Sequence, residues 1–429
     1  MKNLIKIFLV WILLQFFLQT LITFGLGINI EIIWLWKEFF IIVFFFYLCY
    51  LVITKKQYKT LFKDKSILWL EILFLLQVIL AFLINILILK TWISQFILAF
   101  KYDFLGFLIF FIFVNLSQFL DHKFIKKILF FFGKVLKIVL ISAIFWYALI
   151  LLKPSFLYNL WYDNNIYEWT AWQRPPAVYK TQQYYGYPRN QFLFERPISF
   201  GFFLVAFWPL FYLLYIRSDK SKNKYLRLAM YGLNIILTFS RAAWWAWFVQ
   251  IILIGLLFHA KDLKKFIIKF LLPFIIAAVI IWVVWYKQII SRDFSNTWHL
   301  QLLKQWFTMF LENPLFGKWA WYVWPASHWW GIAFNPENQY IQILIEFGII
   351  IFIFWMLIYA FLNMYPIIKF IKVKYKENMI FLITLSIWMI WLSIQWFVLH
   401  SFVDRMIVYP FMLLLGLSRG YAFFSQKSE

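Results

Sequence analysis

Apolar runs of about twenty residues, separated by short lysine-rich breaks, follow one another along the whole chain. A helix needs about 20 such residues to cross about 30 Å of hydrocarbon. The first run, 4–24, is too long for a signal-peptide core and no small-residue cleavage site follows it, so it reads as a span. Further spans read at roughly 39–54, 67–89, 103–120, 128–152, 197–216, 267–286, 338–362, 379–399 and 406–420. Stretch 228–258 lies between two basic loops and must cross an even number of times. Its natural break is Ser240-Arg241 in TFSRAAW, which predicts two short helices with Arg241 near the outer face. The expected fold is an all-α polytopic membrane protein, a single membrane domain over 1–429 with about twelve transmembrane helices.

Lysines orient these spans, because cytoplasmic loops carry the Lys/Arg excess. The clusters at 55–65, 121–127, 217–227, 259–266 and 369–376 recur after every second span and predict both termini on the cytoplasmic side. Two segments on the opposite side are long enough to hold chemistry, a first external loop at 153–196 and a large one at 287–337. The second precedes the tenth span, which begins ENQY. It contains Leu300, Leu303, Phe307 and Phe310 at helical spacing, with His299, Lys304 and Glu312 off that face. That pattern predicts an amphipathic helix lying on the bilayer surface.

Composition sharpens this picture. The 429 residues are 65% apolar and 14% charged, which excludes a soluble domain and a disordered chain. The formal charge of +23 would suit a nucleic-acid binder if it were not gathered in the loops of one side, where it records topology instead. A single cysteine, Cys49, excludes disulfide frameworks and thiol metal sites. No GxxxxGK[ST] occurs, so ATP-driven transport by this chain alone is excluded, and with neither HExxH nor DxD no metal or other cofactor is expected. Arginines break the topological rule: Arg174, Arg189, Arg196, Arg241, Arg292 and Arg405 are external or embedded. Guanidinium groups suit bidentate recognition of phosphate.

Three constellations carry candidate chemistry. In NPENQYIQILIEFGII, Asn335 reads as a helix N-cap and Pro336 as the first helical residue. Glu337 then stands at the mouth of a membrane cavity beside Asn338, where a carboxylate either satisfies the helix end or accepts a proton from a substrate hydroxyl. Gln339, Gln342 and Glu346 share one face, with Glu346 about 13 Å further in at about 1.5 Å per residue. An intramembrane carboxylate calls for a partner, and Arg241 at matching depth is the expected one. Arg196 before Pro197 and Arg189 seven residues earlier offer, with Arg241, converging cations suited to a lipid diphosphate, although flanking arginines also snorkel to headgroups. Of the external histidines, His328 is a spare proton acceptor. These polar groups concentrate at the outer mouth, whereas a transporter or flippase lines its midplane.

Four segments together resemble the O-antigen ligase/polymerase family of membrane glycosyltransferases: RPISFGFF, TFSRAAW, FLENPLFGK and ENQYIQILIEFGII. Their order and spacing carry the likeness, over roughly 185–420. The resemblance implies transfer of a glycan from undecaprenyl diphosphate at the outer face of the bacterial inner membrane, without nucleotide or metal. It implies Arg196 and Arg241 as diphosphate ligands. It places Glu337 where the family commonly has its histidine base, so that Glu337 or His328 would take the acceptor's proton. The acceptor would be a glycan or lipid, or a protein in the variant reading of an O-oligosaccharyltransferase.

Tryptophan is strangely common, 26 against 13 glycines, and GKWAWYVWPASHWWGIAF stands where the family's loop carries glycines. Interfacial belts account for Trp at span ends. Trp inside a loop, where positive φ and close backbone approach call for Gly, suggests instead UGA codons that the cell reads as glycine.

Overall fold

The structure is a computed structural model. It describes residues 1–22, 26, 35–55, 64–153, 189–194, 196–217, 223–258, 293–320, 322–323, 338–372 and 404–425. Glu337 and His328 therefore lie outside the described residues, as do the expected spans 267–286 and 379–399.

All regular structure among the described residues is helical. In chain order the helices are α1 Lys2–Thr20, α2 Trp36–Thr54, α3 Lys65–Leu83, α4 Ile93–Asp103, α5 Leu105–Leu116 and α6 His122–Leu152. They continue as α7 Pro197–Phe211, α8 Asn223–Leu237, α9 Arg241–Phe258, α10 Asp293–Leu311, α11 Gln339–Lys372 and α12 Arg405–Ser425. Helices α3 and α7 each run on into a π-helical turn, Ile84–Ile88 and Tyr212–Arg217. Five helical stretches are long and apolar enough to span a membrane, six if the pair α4–α5, bent by 62°, counts as one. The count of twelve is not reached among the described residues.

The break at Ser240-Arg241 falls where the sequence predicts it. Helix α8 stops at Leu237, Phe239 takes φ +49°, and the Ser240 hydroxyl accepts from the Ala243 amide to start α9. The two helices fold against each other, with the Trp244 indole donating 3.0 Å to the Ile235 carbonyl across the turn. Two short helices therefore form one hairpin, and Arg241 sits at its tip.

Helix α12 packs most closely on α5, through Gly416 and Gly420 in a small-xxx-small pair. A Cβ on Gly416 would stand 2.7 Å from the Phe110 carbonyl oxygen, so no larger residue fits between these backbones. Around this pair the core is aromatic and aliphatic: Phe107, Phe110, Phe207, Trp208, Trp355 and Phe411 are all nearly inaccessible.

Helix α10 has two apolar faces. Trp306 is buried with Ile341 and Ile345 of α11, with Leu302, Met309 and Phe310 packed against them. Leu300, Leu303, Phe307 and Leu311 are exposed along the other side. Phe310 thus belongs to the protein-facing side, not to the exposed stripe expected for it, because α11 covers it.

Candidate functional site

The most unusual backbone lies where the loop after α10 meets α11. In an unbroken helix the Ile349 amide would donate to the Ile345 carbonyl. Here Ile349 donates instead to Pro314 O at 2.9 Å, and Ile345 O accepts from the Lys318 amide at 2.7 Å. The loop has been inserted into the helix ladder, replacing one internal bond by two external ones. Gly348, at φ 72° and ψ 179°, absorbs the break in a region essentially reserved for glycine. Gly317 of the loop, at φ +77°, lies directly against it. Irregular backbone at membrane depth is tolerated when protein covers it, and the loop does this. It is fixed from the other side by the π-helical turn of α3, where Asn85 accepts the Ala320 amide at 2.6 Å.

Buried polar groups collect on α11 in the two turns before this insertion: Asn338, Gln339, Gln342 and Glu346. Asn338 caps α11, its side-chain oxygen accepting the Ile341 amide at 3.1 Å; Asn335 and Pro336, the expected cap and first helical residue, lie outside the described residues. Asp103, at the end of α4, accepts from the Gln339 and Gln342 side-chain amides at 3.3 and 3.0 Å. Glu346 faces Asp103 and accepts the Val323 amide at 3.1 Å. The described partners of Glu346 are thus Asp103, Gln342 and the loop. The pairing with Arg241 expected from matched depth is not made: depth alone does not say which helix is the neighbour, and α3, α4 and α10 surround this face of α11. Sequence reasoning missed Asp103, although its place at the end of an apolar run was visible.

A second constellation forms at the hairpin tip. Arg196 is the N-cap of α7, with Pro197 at its first position, and Arg241 opens α9. These helices pack closely near their starts, since a Cβ on Gly201, in the second turn of α7, would be 2.9 Å from that of Ala243 in the first turn of α9. Both arginines are half-exposed, and each stands at the positive start of one of these two packed helices. Arg189 joins them differently. Its Nε donates 2.9 Å to Thr238 O and its Nη2 donates 3.2 Å to Phe239 O, closing the C-terminal end of α8. Asn190 strengthens that closure, its amide donating 2.8 Å to Leu237 O and its side chain 3.2 Å to Asn234 Oδ1. Arg189 is thereby bound up in shaping the tip that carries Arg241.

The broken helix and the buried carboxyls set polar groups about 10 Å along α11 from its start at Gln339, at about 1.5 Å per residue. Concentration of polarity at the outer mouth therefore does not distinguish an enzyme from a transporter here. Among the described residues no group of His, Cys, Asp and Glu could hold a metal ion.

Several helices of this length and apolarity define a multi-pass membrane protein. Residues 226–356, from α8 through the first part of α11, match the O-Antigen ligase family model. The resemblance read from the four sequence segments is borne out over that stretch, which contains Arg241, the inserted NPLFGK loop and the ENQY helix. The match supports a membrane protein of polysaccharide biosynthesis with a glycan-transferring, ligase-type activity. No curated protein matches the chain.

Proposed function

We propose that this chain is a glycosyltransferase that transfers or polymerises a glycan carried on undecaprenyl diphosphate, at the outer face of the bacterial inner membrane. The observation that carries the proposal is the placing of Arg196 and Arg241 at the starts of two helices that pack on each other, inside and beside the ligase-family match. In this reading the two guanidinium groups hold the diphosphate. An acceptor hydroxyl attacks the anomeric carbon, forming the new C–O bond as the bond to the diphosphate breaks with inversion. The hydroxyl proton passes to Glu337, with His328 as the other acceptor, and undecaprenyl diphosphate departs with its charge held by arginine. Asn338, as the cap of α11, fixes the direction of the chain just after Glu337. Arg189 acts through the hairpin tip, and Glu346 through the inserted loop.

A protein acceptor would use the same donor chemistry. A non-catalytic lipid-glycan transporter would share the diphosphate site but need no base. Transfer from a purified lipid-diphosphate glycan, measured for wild type, Arg196→Ala, Arg241→Ala and Glu337→Gln, separates these readings. The expected result is a loss of at least about a hundredfold in each variant, the scale on which removal of a charge-stabilising group acts. Undiminished transfer in all three would overturn the assignment. Unchanged lipid-diphosphate binding with no transfer in wild type would favour the transporter.

A further inference from the structure

Two carboxyl groups meet where the inserted loop joins α11. Asp103 ends α4 and is 0% exposed; Glu346 stands two residues before the break at Gly348 and is 1% exposed. The two side chains are in hydrogen-bonding contact with each other, and the Gln342 amide bonds to both. One oxygen of each carboxyl is taken by N–H donors. Asp103 Oδ1 accepts from Gln339 and Gln342, and Glu346 Oε1 accepts the Val323 amide at 3.1 Å. No N–H or O–H of the described residues reaches the remaining oxygens, Asp103 Oδ2 and Glu346 Oε2.

An ionised carboxyl accepts hydrogen bonds and donates none. Two carboxyls therefore bond to each other only through a proton that one of them keeps, and two ionised ones in contact repel strongly away from water. The other ionisable groups of the elements packed here are engaged elsewhere. On α4, Lys101 pairs with Glu38 at 2.9 Å and Tyr102 lies under Arg405. On α3, Glu71 bonds the Asn115 amide, while Lys65 and Lys90 are exposed. In the loop, Lys318 pairs with Glu312 and lies over Tyr322. On α10, Lys304 is exposed, and Asp293 and His299 fall about two turns or more before Trp306, the residue packed on α11. Tyr340 of α11 packs on Trp355, and α5 has no ionisable residue.

We propose that Asp103 and Glu346 share one proton, between Oδ2 and Oε2, and that this proton keeps the inserted loop docked on α11. Glu346 holds the loop at Val323, next to the bonds from Lys318 N to Ile345 O and from Ala320 N to Asn85 Oδ1. When the proton passes to water, two like charges face each other at the base of the loop. Glu346 then turns away from Asp103, which Gln339 and Gln342 hold in place, and gives up the Val323 amide as it turns. Docking thus weakens as pH rises through the release of the proton. The two acids are a positioning pair for the loop and for the start of α11, beside the proposed base Glu337. Their effect on transfer rests on the transferase reading; the shared proton and the docking do not.

Infrared spectra of the full chain in detergent at neutral pH test the proton. Asp103→Asn and Glu346→Gln each put an amide donor in the proton's place. Each should remove the same single carboxylic-acid C=O band, and the double variant should remove nothing more. No band lost in either variant, or two bands lost in the double variant, overturns the proposal. Hydrogen exchange of the Lys318, Ala320 and Val323 amides, corrected for the intrinsic rate, tests the docking in the wild-type chain, whatever the stability of the variants. The pH is raised from mildly acidic until the band disappears, and protection is expected to fall with the band by at least about tenfold. In Glu346→Gln the protection should hold over the same range. Wild-type protection that survives the loss of the band overturns the docking role. Transfer measured over this range is expected to fall with the band. Absence of transfer at every pH counts against the transferase reading alone, since neither the band nor the exchange depends on it.

Discussion

Gly317 and Gly348 meet backbone to backbone: a Cβ on either would come within 2.7 Å of the other's amide nitrogen. Both have positive φ, so each is required twice over, by conformation and by space. Gly348→Ala should therefore destabilise the protein by more than about 2 kcal/mol. Thermal unfolding in detergent measures this. An alanine protein with an unchanged midpoint would show that α11 is continuous and the loop not inserted.

Arg189 and Arg241 should fail in different ways. Arg189 closes the end of α8 by two bonds to carbonyls, and Arg189→Ala should cost about 1–3 kcal/mol of stability. Its donor KM should change less than threefold in whatever protein survives. Arg241→Ala should leave the midpoint nearly alone and remove transfer. Steady-state kinetics beside unfolding curves make the comparison, and the reverse pattern would exchange the two assignments.

Asp103 supplies the acceptors for two buried side-chain amides. Asp103→Ala leaves both donors without them, at about 1–3 kcal/mol each. Asp103→Asn keeps one acceptor oxygen and should lose less than half as much. Equal losses in the two variants, measured by unfolding, would mean that charge rather than hydrogen bonding matters there.

The tryptophans divide by their surroundings. Trp208 is 2% exposed, with its ring centroid 4.9 Å from that of Tyr231 and 5.5 Å from that of Trp247. Trp355 is fully buried and stacks on Tyr359 at 5.4 Å. Glycine at either place would open a cavity of indole size, at a cost of several kcal/mol. UGG codons are expected there, and UGA at Trp319, Trp321, Trp324, Trp329 and Trp330. The gene sequence, and peptide masses from the native host, decide it. UGG at all five loop positions would end the recoding idea.

Hydropathy made most helix positions legible, because a long apolar run has few other fates. The break at Ser240-Arg241 was legible too, since lysines on both flanks force a return. What stayed hidden was pairing. Nothing local tells Glu346 that its neighbour is Asp103, or tells Pro314 that its carbonyl will complete a ladder inside another helix. Helix α4 was missed because its eleven residues, with Lys101 and Asp103 near the end, are too short and too polar to read as a span. The glycines Gly317 and Gly348 were the available signal for the insertion, one in each of two quoted motifs.

The seam between α5 and α12 bears on how the protein is made. Gly416 and Gly420 lie on the earlier helix with backbone almost in contact, yet nearly three hundred residues separate α5 from α12. During synthesis α5 is made well before the helix that covers its seam. Contacts of such sequence separation form late. The arrival of α12 also brings Arg405 to Glu38, so that ion pair is completed near the end of translation. A chain cut short before α12 therefore lacks both the seam and the Arg405–Glu38 pair.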